Sequence, residues 1–196
     1  MDYLKYYSLE DYLFNVVHPR FQTDGALSAF DFFSIVVWKA NRAKSKVARL
    51  LMTHDPDRRD SLDQICNDLT RQLNAMASDE ERLKFLMQHR GFRLPMASAI
   101  LTVLWPDSFS VYDVRVCDQL GDHHRLANLV SWRSIWTGYQ AFLSDVHAAE
   151  PRGLCLRDKD RFLWGRSAAY QLRTDIQRCF APKDDEVLFD GSTKGQ

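Results

Sequence analysis

Apolar side chains recur at every third or fourth position along almost the whole chain, and this helical period is what most limits the possible folds. No segment alternates apolar and polar residues for long enough to indicate a β-strand. Ser8, Ser28 and Ser78 are each followed three positions later by an acidic residue, which is the pattern of a capping box at a helix start. The sequence therefore predicts an all-α fold of roughly ten helices.

The distribution of charge is more informative than its sum. The 196 residues include 26 basic and 26 acidic ones, so the net charge points to no charged partner. Residues 38–49 nevertheless contain five basic residues and no acidic one, and residues 152–178 contain seven basic and three acidic ones. Each run alone is typical of a solvated helix face, whereas both on one side of the molecule would form a phosphate-binding surface.

The sequence gives no reason to expect a metal, a cofactor or a membrane partner. His123 and His124 lack a further ligand at a diagnostic spacing. The N-terminal residues do not resemble a signal peptide, and no apolar run reaches a length of about 18 residues. The four cysteines show no metal-ligand spacing and are expected to be free thiols in a reducing compartment: Cys66, Cys117, Cys155 and Cys179. We expect a cytoplasmic, nucleoid-associated protein, or a nuclear one if the source is eukaryotic.

The segment 91–117, GFRLPMASAILTVLWPDSFSVYDVRVC, carries the strongest functional signal. A glycine precedes a turn and a helix of small and apolar residues. Asp113 follows sixteen positions after Ala97 and opens the next helix. Aspartate is among the best N-cap residues, so a purely structural role is the simple alternative for Asp113.

This segment resembles the helix-hairpin-helix DNA glycosylases, the HhH-GPD superfamily, in which a hairpin joins two helices and an aspartate follows at a similar distance. The resemblance implies two helical lobes with an active-site cleft between them. Residues 1–44 with 121–181 would form one lobe, 45–120 would form the hairpin lobe, and 182–196 would be a flexible tail. The hairpin would hold a DNA phosphate on its backbone N–H groups, and its residues are Gly91, Phe92, Arg93, Leu94 and Pro95.

The resemblance assigns Asp113 to catalysis. Cleavage of an N-glycosidic bond places positive charge on the sugar, which a carboxylate stabilises while it orients or deprotonates the attacking water. Arg93 stands where the family has its second hairpin glycine. Pro95 stands where relatives that also cleave the DNA strand carry a lysine, which indicates a monofunctional enzyme that leaves an abasic site. A lysine elsewhere, such as Lys39, is the alternative source of an amine.

A glycosylase must also hold the extruded base and fill the gap that it leaves in the duplex. Asn41 occupies the place of the gap-filling residue in the family. The other candidates for the base pocket are Trp38, Lys39, Tyr112, Trp164 and Arg166. Core packing for Trp38 and solvation for Lys39 are equally weighted alternatives. Among Phe162, Leu163 and Trp164, two are expected to pack inward.

The predicted function is thus hydrolytic release of a damaged or modified base from double-stranded DNA by a monomeric protein. Three alternatives stay open at this point. The first is a helix-hairpin-helix module that binds DNA without chemistry. The second is a glycosylase directed at modified bases in foreign, phage DNA. The third is a helical protein with an accidental match to the motif, which would not bind DNA at low salt.

Overall fold

A computed structural model describes residues 3–59 and 61–180, and within these ranges all regular structure is helical, which confirms the all-α prediction. The predicted tail at 182–196 lies outside the described residues. The ten α-helices of the described part are α1 Leu9–Tyr12, α2 His18–Asp24, α3 Ala29–Ala40, α4 Lys44–Thr53, α5 Leu62–Ala75, α6 Asp79–Lys84, α7 Leu94–Leu104, α8 Val114–Leu120, α9 Trp132–Ala148 and α10 Leu156–Gln177. A π-helical segment at Leu13–Val17 joins α1 to α2, and a second π-helical segment, Phe85–His89, extends α6.

Serine caps begin the helices at the three predicted positions. Ser8, Ser28 and Ser78 each accept a hydrogen bond from the backbone N–H three residues later. Only Ser78 forms a complete capping box, because the Glu81 carboxylate returns to accept from the Ser78 N–H at 3.2 Å. The acidic residue in the first turn of α1 and of α3 is an aspartate, whose side chain is one methylene shorter, and there only the serine half of the box forms.

Residues 28–52 contain no glycine or proline and keep a helical period throughout, yet they form two helices rather than one. A 3-10 turn at Asn41–Ala43 separates α3 from α4, because the backbone at Ala40 leaves the helical region (φ −162°, ψ 85°). The last turn of α3 therefore carries Trp38 and Lys39. The end of α3 lies next to the segment that carries Asp113.

Helix α7 runs through the centre of the apolar core. Its small residues Ala97, Ser98 and Ala99 have no exposed surface, so neighbouring helices approach its backbone closely. It packs against α2, α3 and α6, while α8 packs against α10. Within the described part of the chain, no helix combines the length and apolar character needed to cross a lipid bilayer.

Candidate functional site

The residues of the predicted hairpin, 91–95, form a tight turn and the start of α7 after the π-helical segment Phe85–His89. Gly91 has a φ of +73°, the left-handed region that favours glycine. A Cβ at this position would lie 3.1 Å from both the Leu50 and the His54 side chains. The Phe92 ring packs into the core. The backbone N–H of Phe92 donates to the Leu86 carbonyl of the preceding π-helical segment at 2.9 Å. The conformation of the turn thus requires a glycine at 91.

Part of this turn is open to solvent. Gly91 and Arg93 are exposed, whereas Phe92 and Leu94 are buried. Within the described residues, the N–H groups of Gly91, Arg93 and Leu94 donate no hydrogen bond. Pro95 has no N–H and follows directly inside α7, where the first turn leaves such groups unpaired.

Asp113 uses its two carboxylate oxygens for different purposes. Oδ1 accepts a hydrogen bond from the Arg115 N–H at 3.0 Å, which makes Asp113 the N-cap of α8. Oδ2 lies 2.5 Å from the Lys39 Nζ at the end of α3. The Asp113 side chain is 21% exposed and that of Lys39 is 14% exposed. Asp113 therefore caps α8 with one oxygen and pairs with the Lys39 amine through the other.

Asp113 is held in its ionised form. Burial raises the pKa of its carboxyl, but the charge and hydrogen bond of Lys39, with the Arg115 N–H, outweigh this effect and bring the pKa below its usual value. At neutral pH the group is a carboxylate. It is thus suited to stabilise positive charge or to orient water, and unsuited to donate a proton.

The loop that carries Asp113 is fixed from behind by hydrogen bonds. Ser98 of α7 accepts from the Tyr112 N–H at 2.9 Å, and the Tyr139 hydroxyl of α9 donates to the Ser110 carbonyl at 2.7 Å. The Tyr112 hydroxyl donates to the His123 carbonyl at 2.7 Å. These bonds come from two different helices and one loop, so the position of Asp113 does not depend on α8 alone.

A pocket of about 620 Å³ opens in front of Asp113. Its walls come from α1, the end of α3, the segment 111–115 and one face of α10. Four of the residues proposed from the sequence line it: Trp38, Lys39, Asp113 and Trp164. The pocket has the size of typical small-molecule sites, which span about 300–1,000 Å³.

Three other predicted residues do not line the pocket. Asn41 is exposed in the turn after α3, and its Oδ1 accepts from Lys44 at 3.1 Å. Tyr112 is buried behind the loop, where its ring packs on Phe142 at 5.5 Å. Arg166 is exposed and its Nε lies 2.5 Å from the Gln119 side chain. The structure therefore separates these three from the Asp113 pocket.

The expectation that two of the residues 162–164 pack inward is wrong. Only Leu163 is buried, while Phe162 is 41% exposed and Trp164 is 47% exposed. The helical rotation of 100° per residue allows one of three consecutive side chains to face the core here. The exposed Trp164 indole lines the mouth of the pocket. The Arg115 guanidinium lies 5.3 Å from the centre of its ring.

Sequence reasoning missed a charged cluster that lines the pocket and consists of Arg157, Asp160 and Glu10. The Arg157 Nη1 lies 2.5 Å from the Asp160 carboxylate, and its Nη2 pairs with Glu10 of α1. The Arg157 guanidinium also stacks over the Trp38 ring at 5.2 Å. Residues 157, 160, 161 and 164 are spaced by three or four positions, so they share one face of α10. Counting the charges over 152–178 does not reveal this spacing.

Asp160 is the second carboxyl group of the pocket and behaves differently from Asp113. It is 4% exposed, and burial raises its pKa to about 6 despite the neighbouring charges of Arg157 and Lys39. The folded protein therefore binds a proton at this site more tightly than the unfolded chain does. Two carboxyl groups in one pocket thus have pKa values that are moved in opposite directions.

We expect Asp160→Asn to remove a pH-dependent loss of stability. Because the folded-state pKa of Asp160 is raised, its favourable contribution is complete below the ordinary value of 3.8 and is lost as the pH rises to about 6. Relative to the variant, the wild-type free energy of unfolding should fall by about 3 kcal/mol over this window and then stay level. Urea denaturation of both proteins at a series of pH values measures the difference. A difference that is constant or grows with pH would contradict the assignment.

No metal centre accompanies the pocket in the part of the chain that the structure describes. There, no group of three or more His, Cys, Asp and Glu side chains is arranged to hold a metal ion. His123 and His124 pair with different aspartates instead, Asp145 and Asp118, each at 2.7 Å. Cys66 and Cys117 are buried free thiols.

Comparisons of the chain with family models, with curated proteins and with solved structures give no match. The motif at 91–117 and the geometry of the Asp113 pocket are therefore the features of this protein that bear on its function.

Proposed function

We propose that this protein is a DNA glycosylase that hydrolyses the N-glycosidic bond of a damaged or modified base in duplex DNA and leaves an abasic site. The observation that carries the proposal is the ionised Asp113 carboxylate, which lies beside Lys39 in a pocket with an exposed indole at its mouth. The sequence motif connects this carboxylate to a hairpin that is suited to a DNA backbone.

The pocket suits an extruded nucleoside in size and in the character of its walls. Its volume of about 620 Å³ holds a base and its sugar. Trp164 and Trp38 offer aromatic faces, and stacking on such a face stabilises an unstacked base by about 1–3 kcal/mol. Extruding a base from the duplex costs a few kcal/mol in lost stacking and pairing. Stacking on these side chains would offset a substantial part of that cost.

In the proposed reaction Asp113 stabilises the sugar cation as the bond to the base breaks. Its low pKa keeps it ionised, and its fixed position avoids reorganisation during the reaction. The carboxylate also orients the water that attacks C1′, and it accepts a proton from that water. Lys39 holds the carboxylate in place through the 2.5 Å contact.

DNA contacts are proposed at two places. The unpaired N–H groups of Gly91, Arg93 and Leu94 fit a phosphate, and the exposed Arg93 side chain adds charge. The exposed basic residues of 42–49 follow directly after the pocket residues of α3. In this proposal the two lobes are 1–44 with 121–181 and 45–120, and the pocket takes walls from both.

The test is release of bases from a panel of duplex oligonucleotides that carry damaged, deaminated, oxidised, alkylated or phage-type modified bases. Alkali treatment converts each abasic site into a strand break, so hydrolysis without lyase activity is also seen. We expect one class of base to be released and undamaged duplex to be bound in a salt-sensitive way. Release of phage-type bases alone would assign the defence alternative. Binding without any release would support the non-catalytic DNA-binding module, and no binding at low salt would show that the motif is accidental.

A further inference from the structure

We infer that the pocket selects neutral damaged or modified bases over cationic, N-alkylated ones, and that Arg115 is the residue that sets this selectivity. The inference rests on the proposed function and names the class of substrate that the same pocket takes. It gives the Arg115 side chain a role that is separate from the bond between its backbone N–H and Asp113.

Positive charge exceeds negative charge among the described residues that line the pocket. Four of them are basic: Lys39, Arg115, Arg157 and Arg161. Three of them are acidic: Glu10, Asp113 and Asp160. A neutral base enters this pocket without adding to the excess, whereas a cationic base brings one more like charge into it.

The excess charge belongs to Arg115. Each of the three carboxylates lies within 3.0 Å of one of the other basic side chains of the pocket. In the described part of the chain, the Arg115 guanidinium forms no salt bridge, and its Nη1 is buried without a hydrogen-bond partner. The charge of Arg115 is therefore the one that a bound base meets without a carboxylate paired to it.

The contact between Arg115 and Trp164 places this charge where a base would stack. The guanidinium lies 5.3 Å from the centre of the indole ring, and Trp164 is 47% exposed in the pocket wall. An indole attracts a cationic base through cation–π interaction, but here a guanidinium already makes that contact. A cationic base on Trp164 would also meet the guanidinium as a like charge at short range. A neutral base keeps its stacking energy and meets no such repulsion.

The second indole of the pocket also has a cationic partner. The Arg157 guanidinium lies 5.2 Å from the centre of the Trp38 ring. Arg157 differs from Arg115 because Asp160 and Glu10 both pair with it. Trp38 therefore offers no free site for a cation, while Arg115 supplies the repulsion that is not offset.

The experiment compares single-turnover base release from duplexes that carry either one cationic 7-methylguanine or one neutral base of the panel. Each rate is divided by the spontaneous loss of the same base without protein, because cationic bases leave DNA readily on their own. We expect the best neutral base to exceed 7-methylguanine in this rate enhancement by about 10-fold or more. This comparison uses the wild-type protein and needs no variant to fold.

Arg115→Met should lower the ratio of the two enhancements by about 10-fold, because it removes the charge and frees Trp164 for a cationic base. The substitution keeps the backbone N–H that donates to Asp113, and any change at Asp113 affects both bases alike. Arg115→Lys keeps the charge and should keep the ratio near its wild-type value. The matched control is Arg133→Met, an exposed arginine of α9 outside the pocket, which should behave like the wild type.

The outcomes separate the inference from the proposed function. An equal or greater enhancement on 7-methylguanine than on every neutral base overturns the inference and leaves the proposed function standing. The same holds if Arg115→Met keeps the wild-type ratio, or if Arg115→Lys loses it as fully as Arg115→Met does. Binding of duplex without release of any base overturns the proposed function, and the inference falls with it.

Discussion

Asp113→Asn should reduce base release by about 1,000-fold while the protein stays folded and still binds DNA. The amide is neutral, so it neither stabilises the sugar cation nor accepts a proton from water. Asparagine is as good an N-cap as aspartate, so the bond from the Arg115 N–H and the start of α8 should be retained. Single-turnover release of the best base in the panel measures the effect, with binding measured on the same duplex.

The matched control for this variant is Asp118→Asn. Asp118 belongs to the same helix, is about half exposed, and pairs with His124 away from the pocket. It should release bases at the wild-type rate, because it removes a negative charge from α8 without touching the site. Equal rates for wild type and Asp113→Asn would mean that Asp113 is only a helix cap. Equal losses in both variants would mean that the charge of α8 matters rather than the position of Asp113.

The helices of this fold were predictable because their signals are local. A serine with an acidic residue three positions later marks each of the starts at Ser8, Ser28 and Ser78, and the bonds form within one turn. The break at Asn41–Ala43 was not predictable, because no glycine or proline marks it and both flanking segments favour helix.

The pocket was predictable only in part, for a similar reason. Asp113 stands out because an N-cap aspartate follows a glycine turn at a recognisable distance along the chain. Three other charged residues of the pocket are more than 40 positions away from Asp113 along the chain: Glu10, Arg157 and Asp160. Nothing local in the sequence shows that α1 and α10 converge at Asp113. The same lack of long-range information left Arg166 and Tyr112 among the candidates, although the fold directs them elsewhere.

The packing behind Asp113 explains why a distant helix matters for the site. Tyr139 and Phe142 lie on one face of α9, and their rings are 5.9 Å apart. The Phe142 ring also contacts Tyr112 at 5.5 Å, directly beside Asp113 in the chain. The aromatic cluster of α9 therefore fixes the segment 110–113 from the core side, while Lys39 fixes the carboxylate from the pocket side.

Phe142→Ala should lower the free energy of unfolding by about 3–5 kcal/mol. The ring has no exposed surface, so its loss removes buried apolar area and leaves a cavity next to Tyr139 and Tyr112. This loss is a large fraction of the total stability of a domain, so the variant should unfold at a clearly lower urea concentration. Base release at a temperature where the variant is still folded should also fall, because the segment that carries Asp113 loses its support.

Phe162→Ala is the control for the loss of an aromatic ring as such. Phe162 is 41% exposed on α10, and its ring lies 5.6 Å from the Arg166 guanidinium rather than against the core. A substitution at such a surface position should change the free energy of unfolding by about 0.5 kcal/mol or less. A similar small change for Phe142→Ala would show that α9 is not packed as described. Large stability loss with an unchanged rate of base release would show that the segment 110–113 keeps its position through the Ser98 and Tyr139 hydrogen bonds alone.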